Sequence, residues 1–154
     1  MSRKIEFDLC EQTLTYTCGP TSLVMSYQGH GFNTSEAVIK AEMQLPDDGA
    51  SWWHMRQHIT SHGFDYVFKR AASFDELSLY QLPIVCYVTE RVNDPDYHFS
   101  VVYQSDDISI TLADPSFGDT VTYTREKFEQ NWYDEEGKRT FLAITGYRSV
   151  SVSR

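Results

Sequence analysis

Cys18, His98, Asp114 and Gln12 are the residues whose types and order could do chemistry together. A sulfur attacks a carbonyl only as thiolate, and an unperturbed cysteine, with a pKa of about 8.5, is mostly protonated at neutral pH. A helix N-terminus and a nearby imidazolium both favour the thiolate. Cys18 opens the run Cys-Gly-Pro-Thr-Ser-Leu-Val-Met-Ser-Tyr-Gln, which is apolar at the helical spacing Leu23, Val24, Tyr27. Gly19 and Pro20 let the chain turn into that helix, and a proline in the first turn costs no hydrogen bond. The Cys18 N–H could then face a developing oxyanion. Gln12, six residues upstream, could supply a second donor; losing one such donor typically costs about 10²–10³ in rate.

A base must lie within reach of the sulfur. His98 stands at the mouth of an apolar strand, Asp96-Tyr-His-Phe-Ser-Val-Val, with Phe99 and Val101 pointing elsewhere. Asp114 follows the next strand and could orient the imidazole. If the strands 97–103 and 108–113 form a hairpin around Gln104–Asp107, His98 and Asp114 fall at the same end of the sheet. Adjacent strands are about 4.8 Å apart, close enough for a histidine–carboxylate hydrogen bond. The chain order Gln, Cys, His, Asp is that of papain-like enzymes.

These residues need a frame. Helices are expected from Cys18 to about Gln28, after Thr34-Ser35 and from about Ser51 to Ser61. The second is expected to pack through Ala37, Val38, Ala41 and Met43. Gly29 and Gly31 close the first helix, and His62-Gly63 stops the third. Then the period changes to strands at Phe64–Phe68, Pro83–Val88, Tyr97–Tyr103, Ile108–Leu112, Thr120–Tyr123 and Phe141–Tyr147. Ser73-Phe-Asp-Glu76 is a capping box opening a short helix. Arg125–Trp132 is a further helix. Helices first and an antiparallel sheet after make an α+β domain.

The ordered set resembles the double-glycine leader peptidases that process bacteriocin precursors, a papain-like cysteine peptidase family. Carrying the resemblance are Gln12, Cys18-Gly19, Gly49-Ala-Ser-Trp52, Leu82-Pro83-Ile84, His98–Val102, Asp114-Pro-Ser-Phe-Gly118 and Phe128–Trp132. It runs nearly the whole length. It implies the papain-like fold, with an N-terminal helical half packed on an antiparallel sheet half. It also implies that Cys18 is the nucleophile, His98 the base, Asp114 the orienting residue and Gln12 the oxyanion donor. No cofactor is implied. The implied substrate is a peptide precursor cut after Gly-Gly, with a separate exporter as a possible partner, since many members are fused to a membrane transporter. Thr17 departs from the family pattern, which usually has an acidic residue before the cysteine. Two other functions remain open on the same residues: acyl transfer to an amine or thiol, and leader-peptide binding without catalysis.

Bulk properties narrow the classes. The 154 residues fit one domain, 1–154. A net charge of −9 without a basic stripe speaks against nucleic acid and anionic membrane. Three cysteines without paired spacing speak against a disulfide framework and a structural zinc site, and suit a reducing compartment. The N-terminus lacks a signal-peptide core, and no apolar run approaches the ~18 residues of a membrane span. A cytoplasmic protein with no transmembrane segment is expected.

Other residues have plainer readings. Cys86 in Ile-Val-Cys-Tyr-Val is expected as a buried apolar side chain, and Cys10 as a bystander near the chain end. His54 and His58 share a helix face, but no third ligand is evident, so a solvated face is expected and no metal. His30 and His62 sit at helix ends that favour a cation. Trp52-Trp53 is expected to pack in the core, and Asp47-Asp48 and Asp134–Glu136 to be solvated loops.

Overall fold

The computed structural model describes residues 7–89 and 96–148; the basic start of the chain, within 1–6, lies outside them. Three helices come first: α1 (Cys18–Gln28), α2 (Glu36–Met43) and α3 (Trp52–Ser61). The Ser35 hydroxyl caps α2 by accepting from the Val38 N–H, and Ser51 caps α3 by accepting from the His54 N–H. Gly29 is the C-cap of α1.

Six strands follow: β1 (Phe64–Lys69), β2 (Ile84–Thr89), β3 (Asp96–Ser105), β4 (Ser109–Asp114), β5 (Asp119–Thr124) and β6 (Phe141–Tyr147). They form one antiparallel sheet in the order β1-β6-β2-β3-β4-β5. A 3₁₀ helix, Phe74–Leu79, links β1 to β2, and α4 (Arg125–Asn131) links β5 to β6. At the start of the 3₁₀ helix Ser73 and Glu76 form the expected capping box, with the Ser73 N–H donating to the Glu76 carboxylate at 2.6 Å.

Both faces of the sheet are covered. One carries α1 to α3 through a core that joins Leu23, Met25, Met55 and Ile59 to Ile84, Phe99, Val101 and Ala113. The other carries the 3₁₀ helix and α4 through Phe74, Leu77, Phe128 and Trp132 on Val85, Tyr87, Val102 and Leu112. Strand alternation explains the split, since neighbours along a strand face opposite sides.

The face expected of α2 is corrected. Ala37, Val38 and Ala41 are exposed, and Ile39 is the residue the helix buries. Met43, one turn on, packs partly against the same core. A helix of eight residues lying on the rim buries a narrow i, i+4 edge rather than a broad stripe.

Candidate active site

Cys18 is the first residue of α1, so its N–H has no carbonyl partner within the helix. The first turn carries no acidic side chain, which leaves the positive end of the helix for the sulfur. Gly19 is required by close approach. A Cβ there would lie 2.9 Å from the Ala50 Cβ and 3.1 Å from the Met55 sulfur, so only glycine lets the loop before α3 press on the start of α1.

His98 sits in β3 directly opposite Tyr87 of β2. Its Nε2 lies 2.7 Å from Asp114 Oδ1 and 3.1 Å from the Ser116 hydroxyl. The histidine and the aspartate are both buried, 7 % and 4 % exposed. Cys18 lies near enough to the ring to perturb it electrostatically. With Nε2 taken by Asp114, the ring nitrogen left to meet the sulfur is Nδ1. Burial pulls the imidazole down, but the bond to Asp114 and the nearby Cys18 outweigh it and raise the pKa to about 9. For Asp114, burial pushes upward, and the bonds from His98, the Ser116 N–H and Tyr87 outweigh it, leaving the carboxyl below its usual range.

A β-bulge makes the His98–Asp114 pair possible. Val101 pairs Ala113 and Val102 pairs Leu112, but beyond the irregularity Gln104 pairs Thr111, leaving Tyr103 as the extra residue. Side chains directly opposite each other share a face. Continued at the pairing of Val101 with Ala113, Asp114 falls opposite Ser100 and shares the face of His98. Had the turn-end register continued without the bulge, Asp114 would oppose Val101 and point to the other side.

The carboxylate serves two further groups. It accepts the Ser116 N–H at 2.8 Å, so the turn residue expected at Asp-Pro and the partner of the histidine are the same side chain. Its second oxygen accepts from the Tyr87 hydroxyl at 3.2 Å, and that hydroxyl also meets the Ser100 hydroxyl at 3.1 Å. Burial pushes the Tyr87 phenol far up, so it remains a donor. The sequence reading missed Tyr87. Its signal was its place in β2, level with His98.

Gln12 is held beside the same turn, its N–H donating to the Pro115 carbonyl at 2.7 Å. Its side-chain nitrogen donates to the Leu14 carbonyl at 2.8 Å, and its side-chain oxygen is buried with no partner among the described residues. The amide is thus near the site with its donor engaged on the backbone.

The remaining candidates separate. Cys86 is buried, and burial pushes its thiol up, as expected for a packed side chain. Cys10 is half-buried against the Asp8 carbonyl and Gln28. Trp52 packs on Phe68 and Phe99, but Trp53 is 58 % exposed. Trp53 lines a cleft of about 600 Å³ with Cys18, Tyr97, Asp48, Asp96 and Glu135. His58 is not on a solvated face: it is buried between Tyr27 and Glu42. His54 turns back to cap its own helix through Ser51. Burial holds His30 below its usual range, which disfavours the cation that a helix end would otherwise favour. Asp134 is buried rather than solvated, accepting from Trp52 Nε1, Arg70, Thr140 and two backbone N–H groups.

Comparison with known proteins identifies the family and the fold. Residues 6–135 match the model of the peptidase C39 family. An uncharacterized protein of Methanothermobacter thermautotrophicus is 28 % identical over 119 residues, 77 % of this chain and 78 % of the relative. The peptidase domain of Streptococcus ComA, a bi-functional ABC transporter involved in quorum sensing, superposes with a TM-score of 0.72 at 23 % identity, covering 91 % of this chain and all of that domain. A double glycine motif protease from an AMS/PCAT transporter, solved with its leader peptide, gives a TM-score of 0.73 at 15 % identity, covering 92 % of each chain. The helical layer on an antiparallel sheet is the papain-like fold of these peptidase domains, and the chain belongs to the peptidase C39 family.

Proposed function

We propose that the protein is a cysteine endopeptidase that cleaves a peptide precursor after a Gly-Gly leader. The observation that carries this reading is the buried His98–Asp114 bond of 2.7 Å, with the Cys18 sulfur at the N-terminus of α1 near enough to perturb the same ring. The imidazole takes the thiol proton, and the thiolate attacks the scissile carbonyl. The Cys18 N–H and the Gln12 amide then hold the oxyanion, which requires the amide to leave the Leu14 carbonyl. His98 returns the proton to the departing amine, and water releases the acyl-enzyme. Asp114 keeps Nε2–H directed at itself, and so keeps Nδ1 aimed at sulfur.

A leader ending in two glycines suits a site whose reacting sulfur is shared with bulky walls. Trp52, Trp53, Tyr97 and Phe99 line the cleft that reaches Cys18, and residues without side chains pass most easily between them. The protease solved with a leader peptide shares the fold. An exporter partner fits a family whose solved members include transporter peptidase domains.

The test is incubation with iodoacetamide followed by mapping of the adduct, together with turnover of a peptide carrying a Gly-Gly leader. Cys18 should label first, and Cys18→Ala should bind the peptide without cutting it. Labelling of Cys10 or Cys86 while Cys18 stays free would sink the proposal. Product mass with an added amine distinguishes hydrolysis from acyl transfer.

A further inference from the structure

At the far end of α1 from the sulfur lies a second cluster of chemically capable side chains. Tyr27 is nine residues beyond Cys18, about 14 Å along the helix at 1.5 Å per residue. There His58 and His62, one turn apart at the end of α3, converge with Glu42 of α2. Glu42 Oε1 lies 3.0 Å from His58 Nε2, and its two oxygens each lie 3.2 Å from His62 Nε2. The three donor atoms all fall within 4.8 Å of one another. The two imidazoles lie with centroids 4.4 Å apart.

We propose that Glu42, His58 and His62 form a binding site for a divalent transition-metal ion of the zinc class. The proposal stands on geometry and is independent of the peptidase reading. Zinc binds imidazole nitrogen and carboxylate oxygen at about 2.0–2.2 Å, so ligand atoms around a tetrahedral ion are ~3.4 Å apart. The oxygen–nitrogen separations here are 3.0 and 3.2 Å, already close to that edge. His58 in the last turn of α3 and His62 at its C-cap sit at i, i+4, the spacing that puts two imidazoles on one face. Three protein ligands leave a fourth position for water, on the side where Glu42 is 41 % and His62 25 % exposed.

The outer partner of a ligating histidine is also in place. His58 is 2 % exposed, and its Nδ1 lies 2.7 Å from the Tyr27 hydroxyl. A tyrosine oxygen can accept as well as donate, so the ring can carry its proton on Nδ1 and present a bare Nε2 to the ion.

A bound ion would tie α1, α2 and α3 at one point. This matters most for α2, which buries Ile39 alone. At its other end Glu36 accepts from the Thr13 N–H and hydroxyl at 3.0 and 2.7 Å. Thr13 neighbours Gln12, so the ion would brace the helix that holds the loop leading to Cys18.

The experiment uses the untagged full chain with its thiols first alkylated by iodoacetamide, which removes Cys18 as a competing ligand and silences catalysis by design. Zinc chloride is titrated by calorimetry, and cobalt(II) by visible absorption. The site should take up one equivalent of either ion. The cobalt spectrum should show d–d bands without a thiolate charge-transfer band, and the melting temperature should rise with zinc. His62→Ala and Glu42→Gln, each checked for native circular dichroism, should weaken binding by roughly tenfold or more. Glu42→Gln keeps a hydrogen-bond acceptor and lies at the surface, so it serves if His62→Ala does not fold. Absence of uptake by the alkylated protein, or uptake unchanged in Glu42→Gln, would overturn the proposal.

Discussion

The bond between His98 and Asp114 uses Nε2 of the ring at 2.7 Å, and this fixes which nitrogen faces the sulfur. It also sets the charge of the ring. Burial alone would keep His98 neutral; its partners raise it to about 9. Without Asp114 the ring would hold its proton over a narrower pH range, and less imidazolium would stand ready for the leaving amine.

The pH dependence follows with a definite sign. The folded pKa of His98, about 9, lies above the unfolded value of about 6.5. Its contribution to stability is therefore fully present below about pH 6.5 and is lost as pH rises through 9. Denaturation of the protein and of His98→Gln should differ most near pH 6, with the gap shrinking by pH 9.5. Activity should show an alkaline limb near 9, where the imidazolium loses its proton. Asp114→Asn should shift that limb to lower pH and reduce the rate by up to about 10⁴-fold. An unmoved limb in Asp114→Asn would show that another group titrates there.

Tyr87 is predicted to position the Asp114 carboxylate without touching substrate. Tyr87→Phe removes the donor to Asp114 Oδ2 and the partner of the Ser100 hydroxyl while keeping the packed ring. Stability should fall by about 1 kcal/mol. The kcat should fall, KM should stay constant, and the alkaline limb of His98 should move. A change in stability with an untouched pH profile would mean that the hydroxyl only fills space.

Much of this site was legible because the chemistry is ordered along the chain. Cys18 was readable at a helix start from Gly19, Pro20 and the apolar spacing behind them, and α1 begins there. The His98–Asp114 pairing was readable in outline, since both lie at the same distance from a hairpin turn to within one residue. That one residue was the illegible part. Side-chain direction alternates with every position, so the pair needs the bulge at Tyr103 to share a face, and nothing in Val-Val-Tyr-Gln announces a bulge. Tyr87, Asp134 and the Glu42–His58–His62 cluster were hidden for a related reason. Their partners are 27, 82 and 16 residues away, and only the packed fold brings them together. The narrow face of α2 was misjudged because Ala37, Val38 and Ala41 are apolar yet lie outward, beyond reach of the core.

Gln12 offers a sharp test of the oxyanion arrangement. Its amide oxygen is buried without a partner among the described residues, and its nitrogen is spent on Leu14. A buried unpaired acceptor is costly to keep, which suits a side chain that turns during the reaction. Gln12→Ala should lower kcat by about 10²–10³-fold with little change in KM. A loss under tenfold, measured with a Gly-Gly leader peptide, would mean that the amide stays on the Leu14 carbonyl throughout.

Asp134 should prove to be the residue on which the cleft wall depends. Its Oδ2 accepts from Trp52 Nε1, Arg70 and Thr140, and its Oδ1 from the N–H groups of Glu136 and Lys138. Asp134→Ala leaves a buried indole N–H, a hydroxyl and part of a guanidinium unpaired. A loss of about 3–5 kcal/mol is expected. Asp134→Asn keeps the shape and one acceptor and should lose less. Urea denaturation with an unchanged m-value checks this, since a shift of midpoint alone reports stability.

The cleft should also select peptides by charge. Asp48, Asp96 and Glu135 are exposed at its lining, while Arg70 is engaged by Asp134 and Glu136 at 3.1 and 3.0 Å. The other lining arginine, Arg56, lies over the Phe68 ring, 4.4 Å from its centroid. Acids outnumber cations along the wall, and they dominate the field that a substrate meets. A lysine or arginine placed a few residues from the Gly-Gly pair should lower KM without altering kcat. Glu135→Lys should reverse the preference by roughly two- to fivefold, because exposed pairs are worth about 0.2–1 kcal/mol each. Raising the salt should erase the difference, as the Debye length falls from about 10 Å at 0.1 M to about 3 Å at 1 M. A preference that survives high salt would instead be one of shape, and would point to Trp53 as the selecting wall.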